Sequence, residues 1–173
     1  MAKKVFTGLK CAALGLTGLI TLGATNAMSH EVDSKFAMTV IRDAAHGAKI
    51  VAGNYGGAIE RLADGRYRSS EKFFAANNLC VAYTMTSRFD AAEESCSTAV
   101  AMIQRNRIKD ESTVAARYHA IALSNRGVLR AMNGDGEMAR EDFEAARALR
   151  AGVAVPTRNL GYLAERNARA SIN

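Results

Sequence analysis

At 173 residues the chain has room for one domain with a moderate core, and its formal net charge is +6. The basic residues are scattered among Glu and Asp and only 6% of residues are aromatic, so the basic patch and stacking platforms of a nucleic-acid-binding protein are absent. That composition predicts no nucleic-acid partner.

The N-terminus reads as an export leader. Lys3, Lys4 and Lys10 make a basic front end, Cys11 to Ala24 is an uncharged apolar run, and Thr25-Asn26-Ala27 supplies small residues at a cleavage site. Interrupted by Gly15, Gly18 and Gly23, the run is short for a spanning helix, so residues 1–27 are predicted to be a signal peptide cut after Ala27. The expected destination is the periplasm, with no stable membrane insertion after cleavage. The leader carries three lysines and no acid, so the mature charge falls to +3. Residues 28–173 form the expected domain.

Two cysteines remain, Cys80 and Cys96. In an oxidising compartment an even pair points to a disulfide, and the alternative is two buried thiols filling core volume. Neither Cys-x-x-Cys spacing nor clustered histidine is present, so no metal site and no cofactor are predicted.

Taken in order, the helical signals are as follows. Ser34 to Ala52 and Tyr55 to Ala63 form a first hairpin, with His46 where the partner helix approaches. Ser70 is an expected N-cap, and a helix follows it through Phe73 and Phe74 to Thr86. Phe89 to Arg105 is its partner. Asp110-Glu111-Ser112 looks like the next start, from which Val114, Tyr118, Ile121, Ala122, Val128 and Met132 continue one apolar stripe to Gly134. Glu137 to Arg150 closes a third hairpin. Pro156, suited to a first helical position, opens a last helix to about Ala170.

These elements recur at a fixed interval. Tyr55 to Phe89 and Ala58 to Ala92 are each 34 residues, as is Gly127 to Gly161, whereas Ala92 to Ala139 is 47. The 13 extra residues fall near Arg107 to His119 and read as about two added turns on the following helix. If Cys80 and Cys96 are bonded, the repeat that holds them cannot hinge, and partner-dependent movement is expected at the junction Arg107 to Ser112.

Leu79-Cys80 with Tyr83, then Phe89, Ala92, Cys96 and Ala99, resemble the unit of the tetratricopeptide repeat family, a 34-residue helix-turn-helix. Gly127, Gly134, Ala139, Phe143 and Ala146 match again, and Leu160-Gly161 begins a copy that stops after one helix. The resemblance implies an all-α, right-handed α-solenoid of about three repeats, at residues 39–72, 73–106 and 120–153. A capping helix at 154–170, polar on its outer face, would end the array.

In that family the first helices line a concave groove that takes an extended peptide. Aligning the copies places Asn78, Asn125 and Asn159 in one slot, from which the resemblance implies amide contacts to a ligand backbone. The other role open to them is pairing with neighbouring backbone. Val81, Met85, Val128, Met132 and Tyr162 would give apolar contact, and Arg158 and Arg166 would meet an acidic group. The family's carboxylate clamp is not expected, because Asn77 and Ser124 occupy one of its slots.

No catalytic constellation is legible. His30, His46 and His119 lack a base-and-orienter arrangement, Ser95 and Ser97 lack a paired base, and Glu93-Glu94 and Glu141-Asp142 read as solvated helix faces. The expected function is therefore a non-enzymatic, exported interaction module that holds a peptide or partner protein in its groove. The alternative is a structural subunit of an envelope assembly that uses the convex face or the array ends.

Overall fold

The computed structural model describes residues 35–107, 113–149 and 151–172. The predicted leader, His30 and the start at Asp110-Glu111-Ser112 lie outside the described residues, as does most of the junction expected to move. The described chain is all-α, with seven helices and no strand: α1 (Gly47–Val51), α2 (Tyr55–Ala63), α3 (Lys72–Met85), α4 (Phe89–Arg107), α5 (Thr113–Met132), α6 (Gly136–Ala148) and α7 (Val155–Ala170).

Local chemistry sets the boundaries. The Asn54 side chain accepts from the Gly57 N–H at 2.9 Å, and Asp135 accepts from Met138 at 3.1 Å; these N-caps start α2 and α6. Gly134, at φ 94°, makes the left-handed turn between α5 and α6. Ser70 is not the cap of α3. Ser69–Glu71 form a single 3-10 turn, and the Glu71 carboxylate accepts from the Arg68 N–H at 3.1 Å. Pro156 falls at the second position of α7.

Helices α1, α3, α5 and α7 touch one another in succession, whereas α2, α4 and α6 pack only on their neighbours in sequence. The first helix of each pair thus belongs to a continuous layer. Helix α5 has 20 residues where α3 has 14, which takes up six of the 13 extra residues in the sequence period.

The helix predicted over Ser34–Ala52 does not form across the described residues 35–52. Only Gly47–Val51 is helical, and residues 37–41 have no secondary structure of their own. Thr39-Val40-Ile41 are three consecutive β-branched residues, which lose side-chain freedom in a helix and favour extended backbone.

Cys80 on α3 and Cys96 on α4 form a disulfide with their Cα atoms 4.7 Å apart, and both are buried. By the chain-entropy model a loop of this size stabilises the fold by about 3 kcal/mol. The Cys80→Ala/Cys96→Ala double variant should lower the unfolding free energy by about that amount in urea titration.

The slot that Cys80 fills in α3 is filled by Gly127 in α5 and by Gly161 in α7. A Cβ on Gly127 would stand 2.6 Å from the Phe143 ring, whereas one on Gly161 would meet nothing within 4 Å. The difference follows from topology, because α7 has no following helix among the described residues. Gly161→Ala should accordingly be neutral or stabilising, by up to about 1 kcal/mol from helix propensity, in the same titration.

Candidate functional site

The layer of first helices is occupied by the chain's own residues 36–41. Asn159 on α7 accepts from the Ala37 N–H at 3.0 Å and donates to the Ala37 carbonyl at 2.9 Å. Asn125 on α5 does the same to Thr39, at 2.8 and 2.9 Å. Asn78 on α3 repeats it at Ile41, at 2.9 and 3.0 Å.

Each asparagine thus satisfies both backbone groups of one residue, and the residues taken are every second one. That period is the period of an extended strand, in which alternate residues turn their N–H and C=O to one side. The three amides act as the missing partner strand. The segment crosses the layer from α7 to α3, opposite to the order of the helices in the chain.

All three asparagines are fully buried, as is Asn77. The Asn77 side-chain oxygen accepts from the Asn125 side-chain amide at 3.0 Å, and the Asn77 Nδ2 donates to the Thr39 carbonyl at 3.2 Å. Sequence reasoning assigned Asn77 no role, yet it braces the central rung. The slot shared by Asn78, Asn125 and Asn159 was legible from their spacing. Its occupant was not, although five of the six residues from Phe36 to Ile41 are apolar, between Lys35 and Arg42, as in a buried strand.

Side chains fill the space around the row. Phe36, 8% exposed, sits edge-on to Tyr162 with centroids 4.6 Å apart, and stacks on Phe143 at 6.3 Å. Val128 and Met132 belong to the same apolar cluster. Met38 and Val40 pack on a second cluster that contains Val81, Met85 and the disulfide. All five residues predicted to give apolar contact therefore lie in the clusters against which the segment packs.

The two predicted arginines sit in different surroundings. Arg166 has its guanidinium 5.3 Å from the Phe36 centroid and donates to the Ala131 carbonyl at 2.9 Å. It covers the aromatic ring and neutralises the end of α5, where the helix dipole is negative, in place of meeting a carboxylate. Arg158 is exposed.

The way the chain leaves the groove is also built in. A Cβ on Gly47 would overlap the Ile41 carbonyl, so only glycine lets the segment pass over the start of α1. Ala45 and His46 both have positive φ, at 44° and 57°. Asn78 holds this reversal through further bonds to the Ala44 and Ala45 carbonyls at 3.1 and 3.2 Å. His46 is not on a helix; its Nε2 lies 2.7 Å from the Arg66 carbonyl.

Behind the layer, Asp142 is 4% exposed, contrary to the solvated face expected of Glu141-Asp142. Arg126 engages it bidentately at 2.9 and 2.7 Å, and Arg130 adds a bond at 2.8 Å and reaches Glu93 at 3.3 Å. Burial works against the Arg126 cation, but the hydrogen bonds and charge of Asp142, with Glu93 beyond, outweigh it and hold its pKa above the ordinary value. A raised arginine pKa contributes stability that is fully present below the unfolded value and is lost only as pH rises through the folded one, so the Arg126 contribution is constant through the neutral range.

Among the described residues no group of His, Cys, Asp and Glu could hold a metal ion, and no helix is long and apolar enough to cross a membrane. What the arrangement does chemically is bind peptide backbone. Comparison with protein-family models, with curated proteins and with solved structures gives no match to this chain.

Proposed function

We propose that this protein is an exported, non-enzymatic interaction module: a right-handed solenoid of tetratricopeptide-like hairpins whose layer of first helices holds an extended segment of a protein partner. The observation that carries the reading is the buried row Asn78, Asn125 and Asn159, each pairing with both backbone groups of one residue of an extended chain. Backbone pairing is indifferent to side chains, which suits capture of a peptide. The leader and the Cys80–Cys96 disulfide support an oxidising destination such as the periplasm.

A second reading rests on Gly161, whose small slot on the last helix is left open. In that reading residues 36–41 are a permanent part of the core, and the protein is an envelope subunit that packs through the array end or the convex face. Partner capture by the purified protein separates the two. Loss of capture in an Asn125→Ala/Asn159→Ala variant supports the groove, and undiminished capture by that variant overturns it in favour of the second reading.

A further inference from the structure

We infer that the groove selects a partner segment of defined pattern, aromatic-x-apolar-x-aliphatic-x, with free N–H groups at the x positions, and that residues 36–41 are its internal stand-in. This rests on the groove reading above and adds the class of ligand and the way it gains access.

The pattern is read from the occupant. Phe36 takes a pocket made by Val128, Phe143, Tyr162 and Arg166; Met38 and Val40 pack along the apolar floor. At these three positions a ligand needs apolar side chains, and an aromatic ring first. At the intervening positions, held by Ala37, Thr39 and Ile41, the asparagines need an N–H to accept from and a carbonyl to donate to. Proline lacks that N–H, so it is excluded at these positions in a ligand. The N–H groups of Met38 and Val40 are not used by the row, so proline is tolerated there.

Access follows from how the stand-in is tethered. Among the described residues its backbone bonds run to side chains of the layer, and it joins the body through a reversal with Ala45 and His46 at positive φ. Residues held at such angles store strain that release of the segment relieves. A tether this short keeps the stand-in at millimolar effective concentration, so an external segment of the same pattern wins only when the stand-in is weakened or the partner binds more tightly.

The test uses a labelled synthetic peptide with the sequence of residues 34–42 and the full chain, wild type and Phe36→Ala. That substitution weakens the stand-in and leaves the groove residues intact. Titration followed by fluorescence anisotropy should show at least tenfold tighter binding to Phe36→Ala than to wild type. Proline in the peptide at the position of Ala37 or Thr39 should weaken binding at least tenfold, and proline at the position of Met38 by less than threefold.

Should Phe36→Ala fail to fold, millimolar peptide added to the wild-type chain should instead accelerate hydrogen exchange at the Thr39 amide. Peptides that bind with no dependence on proline position overturn the pattern and leave the groove reading standing. Absence of binding to folded Phe36→Ala, with no change in Thr39 exchange, overturns both.

Discussion

Replacing Asn125 by Ala should free residues 36–41 from the layer while the helices stay folded. The substitution removes the partner of the Thr39 N–H and of the Asn77 side-chain oxygen, and one of two donors to the Thr39 carbonyl. Leaving such groups buried and unpaired costs about 1–3 kcal/mol each. Release is the cheaper outcome, because water then satisfies them and each freed residue regains about 1–2 kcal/mol of backbone entropy. What is lost is the apolar burial of Phe36, about 1.5–3 kcal/mol, and part of that of Met38 and Val40. The expected result is a fall of at most about 2 kcal/mol in global stability by urea titration. Hydrogen-exchange protection at Ala37, Thr39 and Ile41 should fall together, by a hundredfold or more. A cooperative loss of the whole fold would mean that the segment is core and not ligand.

The second large effect is expected where α5 meets α6. Phe143 is fully buried and its ring lies on Gly127, at a distance that leaves no room for a methyl group. Phe143→Ala should cost about 3–5 kcal/mol through lost burial and the cavity left behind. Gly127→Ala should cost about 1–3 kcal/mol through overpacking. The two are coupled, since the smaller side chain at 143 makes space for the added methyl. The Gly127→Ala/Phe143→Ala double variant should therefore be less destabilised than the sum of the singles, and strict additivity in urea titration would contradict the contact. Phe143 also floors the Phe36 pocket, so its loss should loosen the segment as well.

How much of this was legible in the sequence depends on whether the determining contact is local. The hairpins α3–α4 and α5–α6 announce themselves because Cys80, Ala92 and Cys96, or Gly127, Ala139 and Phe143, recur at the spacing at which two helices must meet. The shared slot of Asn78, Asn125 and Asn159 is visible for the same reason. The misreading of Ser34–Ala52 has a physical cause. Its apolar residues fit a helical stripe, but the contacts that decide its conformation come from asparagines 37, 86 and 122 positions away in sequence. A side-chain amide in place of a backbone ladder leaves no local mark beyond the short apolar stretch from Phe36 to Ile41 and its β-branched run Thr39-Val40-Ile41. Likewise the burial of Asp142 depends on Arg126 and Arg130 reaching it from another helix, which charge spacing along α6 alone does not reveal.

Of the two roles open to the asparagines at the level of sequence, binding an extended ligand and satisfying the chain's own backbone, the second is the one seen, with Ala37, Thr39 and Ile41 as the backbone satisfied.

Amide hydrogen exchange along residues 36–42 of the wild-type chain, resolved residue by residue by NMR, tests the asparagine row most directly. The row requires slow exchange at Ala37, Thr39 and Ile41 and fast exchange at Met38 and Val40, a period of two. Uniformly fast exchange would place the segment outside the groove, and uniformly slow exchange would restore the helix that the sequence suggested; either result would contradict the account.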